Sequence, residues 1–256
     1  MSAAPVVKYG VMDGVATLTF ARPERRNAAN RAVIDALEAG LGQAERDPAV
    51  GAVIITGEGD SFCAGWDLDE IVAMASFERR ALADQFGANG RALDRLAESD
   101  LPSIALVNGP VAGFGMSLVA RCDYAIACER ATFHLPETVL GLVPAIVAQD
   151  MLRVMGRRAA FDWLALADKR SARDAQAAGL VREVVASTDL VEVGRALAAR
   201  LAAMPRTVIA ELKHLLRRLD AAEREQHQEI TVAGAVEALK SPVAQGLIER
   251  LKPQSG

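Results

Sequence analysis

The sequence predicts an α/β fold, on three observations. Short strand-like runs alternate with helical segments through the first half, helical spacing dominates from about Ala145 onward, and 51% of the residues are apolar. Strand–helix alternation is the sequence form of crossover connections in a largely parallel or spiral β architecture. A chain of 256 residues with this composition buries a substantial core, as one domain or as a core with a small appendage.

Taken in order, Val15-Ala-Thr-Leu-Thr-Phe20 alternates with the period of two expected of a strand. Asn30 is placed to cap a helix running to Ala44. Ala52-Val-Ile-Ile-Thr56 is a buried-type strand ended by Gly57 and Gly59, and Asp67 or Asp69 can start a long helix toward Leu96. Further strands are expected over 103–107 (SIALV) and 123–128 (DYAIAC). The Ala/Leu/Arg/Glu-rich remainder is punctuated by Gly156, Gly179, Pro205 and Pro242. Within it Leu212, Leu215, Leu216 and Leu219 form an apolar stripe, read first as packing on the core and second as a subunit contact.

The net charge of -4, without a basic tract, argues against tracking nucleic acid or an anionic membrane. The N-terminus lacks the apolar stretch of a signal peptide, and no run approaches a membrane span, so a cytoplasmic protein is expected. Cys63, Cys122 and Cys128 lack metal-ligand spacing and read as small buried hydrophobes; no metal is expected.

Two segments share one layout of strand, glycine turn and helix: AVIIT-GEGD-SFCAGWDLDEI, and SIALV followed by NGPVAGFGMSLVARCD. First-turn amides of a helix have no intrahelical partner, and the helix dipole makes that end attractive to negative charge. Two such ends facing one point could hold an oxygen that becomes an anion. One glycine turn alone is more often a tight connection; the ordered pair carries more.

FCAGWDL, then NGPVAGFGMSL and CDYAIA, resembles the crotonase family, the enoyl-CoA hydratase/isomerase superfamily. The similarity extends to ARPERRNAAN (21–30), FHLPETVLGLVP (133–144), the stretch 156–185 and the SPVAQGLIERLKP tail, which is essentially the whole chain. The resemblance implies a spiral of ββα units. It divides the chain into a core with the acyl-CoA site (1–195) and a C-terminal helical trimerisation region (196–256) in a homotrimer or dimer of trimers. It places the oxyanion hole for a thioester carbonyl at the backbone amides of Trp66 and Phe114, whose bulk can narrow the acyl pocket. It assigns coenzyme A contacts to Arg25, Arg26, Ala28, Ala64, Asp67 and Leu68, with coenzyme A entering as part of the substrate and no separate cofactor. Read alone, the arginine pair is a solvated face and Asp67 a helix cap.

Glu137 matches the family's acid/base glutamate, although by itself a Glu after a Pro reads as a first-turn residue complementing a helix dipole. Hydratases of the family carry a second glutamate where this chain has Ser117, which supplies neither charge nor basicity. A double-bond shift needs one carboxylate, so enoyl-CoA isomerisation is favoured. The alternatives are a hydratase with an atypical second group and a non-catalytic acyl-CoA binding protein. Ala145 stands where the dehalogenase and dienoyl-isomerase branches have an aspartate. GMSLV lacks the second glycine of a nucleophile elbow, and GFG lacks the third glycine of a dinucleotide fingerprint. His134 reads as a packed or hydrogen-bonded histidine, and His214 and His227 as surface residues.

Overall fold

A computed structural model describes residues 4–74 and 77–222 of the chain. Strand β1 (Val7–Met12) turns through Asp13 and Gly14, both at positive φ (51° and 75°), into the antiparallel β2 (Val15–Phe20). Two such residues give the turn the twist that a two-residue hairpin needs. The sequence reading held no strand at 7–12, where VKYGVM shows no sustained alternation.

From β2 the sheet grows by parallel pairing through β3 (Ala52–Gly57) and β4 (Ser103–Val107). Every β4 residue is buried, as in a strand covered on both faces. The crossover from β2 to β3 is α1 (Arg31–Arg46), where the Asn30 side chain accepts from the Val33 amide at 3.0 Å. Val33, Ile34, Leu37, Leu41 and Ala44 form its core-facing stripe.

The crossover from β3 to β4 differs from the single helix expected. It comprises α2 (Leu68–Met74) and α3 (Arg79–Glu98), with Glu78 extended at ψ 151° so that helical hydrogen bonding restarts after it.

After β4 the chain enters a second sheet. Strand β5 (Val111–Ala112) leads into α4 (Phe114–Arg121), which returns to the main sheet as β6 (Tyr124–Cys128) beside β4. Strand β7 (Thr132–His134) then lies parallel to β5, with Val111 opposite Phe133. An isolated parallel bridge sets Cys63 opposite Val111. Residues 63, 111 and 133 therefore stack on successive turns of a spiral, which is the architecture that the site exploits.

Helix α5 (Ala145–Leu166) is kinked at Gly156, whose φ of 73° and ψ of 167° break the helix. Strand β8 (Arg170–Ser171) pairs with β7, α6 (Ala172–Ala177) opens with a Ser171/Asp174 capping box, and β9 (Glu183–Val185) closes the main sheet on β6. Both short strands escaped the sequence reading, because two or three residues show no periodicity. Helix α7 (Leu190–Ala202) crosses the sheet so closely that a β-carbon on Gly194 would lie 2.4 Å from Leu106 Cδ2. The helical region expected from 196 is described as the rest of α7 and α8 (Arg206–Ala221); Pro242, His227 and the SPVAQGLIERLKP tail lie outside the described residues.

The leucine stripe of α8 is covered only in part, with Leu215 and Leu219 half-buried. Leu212 and Leu216 are 48% and 56% exposed, whereas Lys213 is buried, reaching the Leu101 carbonyl at 3.0 Å and Asp123 Oδ2 at 2.5 Å. Arg206 adds hydrogen bonds to the carbonyls of Glu45, Asp47 and Val50. Polar side chains thus help to tie α8 down. Among the described residues, no helix is long and apolar enough to cross a membrane.

Candidate active site

The stacking of residues 63, 111 and 133 fixes what comes next along each strand. Two residues beyond Cys63 and Val111 lie Gly65 and Gly113, side by side on adjacent spiral turns. Their φ values are 97° and 45°, a region that β-carbons disfavour. Space also excludes a side chain. A β-carbon on Gly65 would lie 3.1 Å from the Ala112 carbonyl oxygen and 3.7 Å from Gly113 Cα. One on Gly113 would lie 3.2 Å from Glu137 Oε1 and 3.8 Å from Gly65 Cα. The two glycine turns and Glu137 thus meet.

The amides that follow these glycines are free. Trp66 forms a parallel bridge with Ala29, in which the Ala29 amide donates to the Gly65 carbonyl (2.7 Å) and the Asp67 amide to the Ala29 carbonyl (2.8 Å). In such a bridge the flanking residues engage the partner, and the central residue's own N–H turns the other way. Phe114 is the first residue of α4, where an amide has no intrahelical acceptor. Neither amide donates to another group among the described residues. The Gly113 amide, in contrast, donates to the His134 carbonyl at 3.2 Å, and His134 Nε2 meets the Ala167 carbonyl at 3.2 Å. His134 is structural.

Glu137 precedes a single 3-10 turn, Thr138–Leu140. Its carbonyl accepts from the Leu140 and Leu142 amides, and Thr138 Oγ1 donates to the Leu164 carbonyl, fixing the loop against α5. Oε2 is buried without a partner among the described residues. Burial pushes the carboxyl above the usual carboxylate range, against the opposing effects of its own amide and of His134. A desolvated carboxylate with a raised pKa is suited to taking and returning a proton.

The Trp66 and Phe114 rings meet edge to face with centroids 5.4 Å apart, and both pack against the core. Met116 is fully buried in the core. Ser117 is also fully buried, and among the described residues its Oγ makes no close hydrogen bond. Behind it stands Asp150, 1% exposed, whose Oδ1 accepts from Arg121 Nε at 2.8 Å. Burial raises the Asp150 carboxyl, while Arg121 and the nearby Ser117 hydroxyl act against that rise. Arg121 also pairs with Asp94 of α3. Sequence reasoning missed this cluster, since Arg121 and Asp150 are far apart in the chain and share no motif.

The residues assigned to coenzyme A divide into two groups. Arg25, Arg26 and Leu68 are exposed, with Arg25 Nη2 3.1 Å from Asp69 Oδ2. Ala28, Ala64 and Asp67 are knitted into the adjoining backbone: the Ala64 amide donates to the Arg26 carbonyl, and Ala28 and Asp67 are buried. Both Asp67 oxygens are engaged, Oδ1 by the Asp69 amide at the start of α2 and Oδ2 by Arg22 Nη2. Arg22 was not singled out from the sequence, although it stands in the quoted ARPERRNAAN.

Residues 10–254 match the family model described as enoyl-CoA hydratase/isomerase. The chain belongs to the enoyl-CoA hydratase/isomerase family. Among its relatives is a probable enoyl-CoA hydratase of Mycobacterium tuberculosis, 33% identical over 205 residues covering 80% of this chain and 78% of that one. A 4-chlorobenzoyl coenzyme A dehalogenase of Arthrobacter is 34% identical over 75% of this chain and 71% of that protein. The crystal structure of an enoyl-CoA hydratase from Mycobacterium smegmatis superposes with a TM-score of 0.88 at 30% identity, covering 98% of both chains. The spiral core is the crotonase fold, and the family's enzymes act on acyl-CoA thioesters.

Proposed function

We propose that this family member isomerises the double bond of an enoyl-CoA, with the Trp66 and Phe114 amides as the oxyanion hole and Glu137 as the one acid/base. The observation that carries the reading is the meeting of Gly65, Gly113 and Glu137 Oε1 beside two free amides, with Ser117 one helical turn beyond Phe114. In this mechanism the thioester oxygen accepts from both amides. Glu137 takes a proton from C2 of a 3-enoyl thioester, the C2–H electrons flow into a dienolate held by the hole, and the same carboxyl returns the proton to C4. The product is the 2-enoyl thioester, and Glu137 ends ionised as it began. One donor of such a hole typically contributes about 3 kcal/mol of transition-state stabilisation.

Arg25 and Arg26, both exposed, suit coenzyme A phosphates. The Trp66 and Phe114 rings narrow the acyl channel. Ala145, the first residue of α5, has no carboxylate for the displacement chemistry of a dehalogenase. The uncovered leucines of α8 support assembly into a homotrimer or a dimer of trimers.

A second reading, hydration, draws support from Asp150, a buried second carboxylate beside Ser117. A non-catalytic binder would keep the hole and do no proton transfer. Steady-state assays separate the three: Glu137→Gln should abolish turnover of a 3-enoyl-CoA while leaving CoA-ester affinity within a few-fold. Wild-type kcat in that variant would remove Glu137 from the mechanism.

A further inference from the structure

The two amides of the proposed hole are held by different means. That of Phe114 is fixed by α4, whereas Trp66 lies in irregular chain between β3 and α2, and something other than regular structure must set its direction. Arg22 is placed to do so. Its side chain is only 14% exposed; Nη2 donates to Asp67 Oδ2 at 2.8 Å and Nη1 to the Ala28 carbonyl at 2.7 Å. Asp67 immediately follows Trp66, and Ala28 immediately precedes Ala29, the bridge partner of Trp66. One guanidinium therefore spans both strands of the bridge that turns the Trp66 N–H outward. The loop bearing Arg22 is itself anchored: the Arg22 amide donates to Asn27 Oδ1, and Asn27 Nδ2 donates to the Glu58 and Ser61 carbonyls.

We infer that Arg22 is a positioning residue for the oxyanion hole: by clamping Asp67 and Ala28 it aims the Trp66 amide at the thioester oxygen, without touching substrate. The role needs a planar fork that reaches two acceptors at once, which a lysine ammonium does not reproduce. It rests on the proposed function, because a hole with no thioester needs no aiming. The same fork joins the exposed Arg25–Arg26 pair to the hole through one short segment, so the two ends of a bound thioester are held by a common piece of backbone.

The test compares the affinities of butyryl-CoA and of its thioether analogue S-butyl-CoA, which lacks the carbonyl. Their ratio isolates the hole from every other coenzyme A contact. The wild type should bind the thioester more tightly, and Arg22→Lys should reduce that preference by about fivefold to tenfold, the worth of one hydrogen bond. The infrared carbonyl stretch of bound 13C-labelled thioester should shift back toward its solution frequency in the same variant. Should Arg22→Lys fail to fold, Asp67→Asn removes the acceptor charge from the clamp and should move both readouts in the same direction. A preference and a carbonyl frequency unchanged in a folded variant would overturn the inference, as would equal weakening of both ligands, which marks a merely structural role. A wild type that binds both ligands equally overturns the hole itself, and one that binds neither overturns the acyl-CoA reading.

Discussion

Glu137 Oε1 lies 3.2 Å from the point at which a β-carbon on Gly113 would sit, so the candidate acid/base and the glycine that opens α4 share one contact surface. Gly113 is also at φ 45°. Gly113→Ala should therefore displace the carboxyl and strain the turn together. We expect turnover to fall at least about tenfold and stability by about 1–3 kcal/mol, read by initial rates and thermal unfolding. Wild-type activity in a folded variant would show that the contact has no bearing on chemistry.

The pH profile has a definite sign. Glu137 must be ionised to take a proton, and burial raises its carboxyl above the usual carboxylate range. Activity should thus be lost as pH falls through that raised value, at higher pH than an exposed glutamate would give. Since the folded state favours the protonated form, the ionised carboxyl detracts from stability at neutral pH. Glu137→Gln should accordingly be as stable as the wild type or more so at pH 7, by chemical denaturation.

Asp67 has the opposite sign. Burial alone would raise its carboxyl, but the hydrogen bond from Arg22, the Asp69 amide and the charges of Arg22 and Arg25 bring it below the ordinary value. Its contribution to stability is present above the unfolded-state pKa and lost as pH falls through the depressed folded one. Denaturation of Asp67→Asn and wild type from pH 7 to pH 2 should show the difference between them shrinking toward the acid end. A constant difference would dissociate the ion pair from stability.

The buried Arg121–Asp150 pair separates charge from packing. Asp150→Ala leaves the almost fully buried Arg121 without that partner and should cost about 3–5 kcal/mol, whereas Arg121→Met with Asp150→Leu should recover much of it. Equal losses in the single and double variants, by denaturant titration, would mean that the pair is worth more than apolar filling.

Ser117 predicts slow or absent hydration of crotonyl-CoA, followed by loss of the enoyl absorbance. Rapid hydration would bring Asp150 forward as the second carboxylate, acting beside a hydroxyl that has no other partner among the described residues.

How much of this was legible in the sequence depends on the range of the interaction. The strands at 15–20, 52–57 and 103–107 and the Asn30 cap follow from local pattern, since burial on a strand face and an N-cap are encoded within a few residues. The glycine turns were visible as motifs, but their adjacency comes from the spiral register of 63 on 111 on 133, which no local pattern contains. Arg22, Arg121 and Asp150 were silent because each is defined by a partner 29 or 45 residues away. On α8 the leucine spacing pointed to core packing, yet Leu212 and Leu216 are exposed while Lys213 between them is buried, drawn in by its hydrogen bonds to the Leu101 carbonyl and Asp123.

The central claim is that one carboxylate beside two free amides moves a proton along an acyl thioester. Incubation of wild type and Glu137→Gln with a 3-enoyl-CoA in deuterated water, followed by mass spectrometry, tests it most directly. The account predicts conversion to the 2-enoyl-CoA with the wild type, with deuterium entering to the extent that Glu137 exchanges before returning the proton, and neither conversion nor label with Glu137→Gln. Recovery of unchanged, unlabelled thioester from wild-type enzyme that binds it would contradict the account.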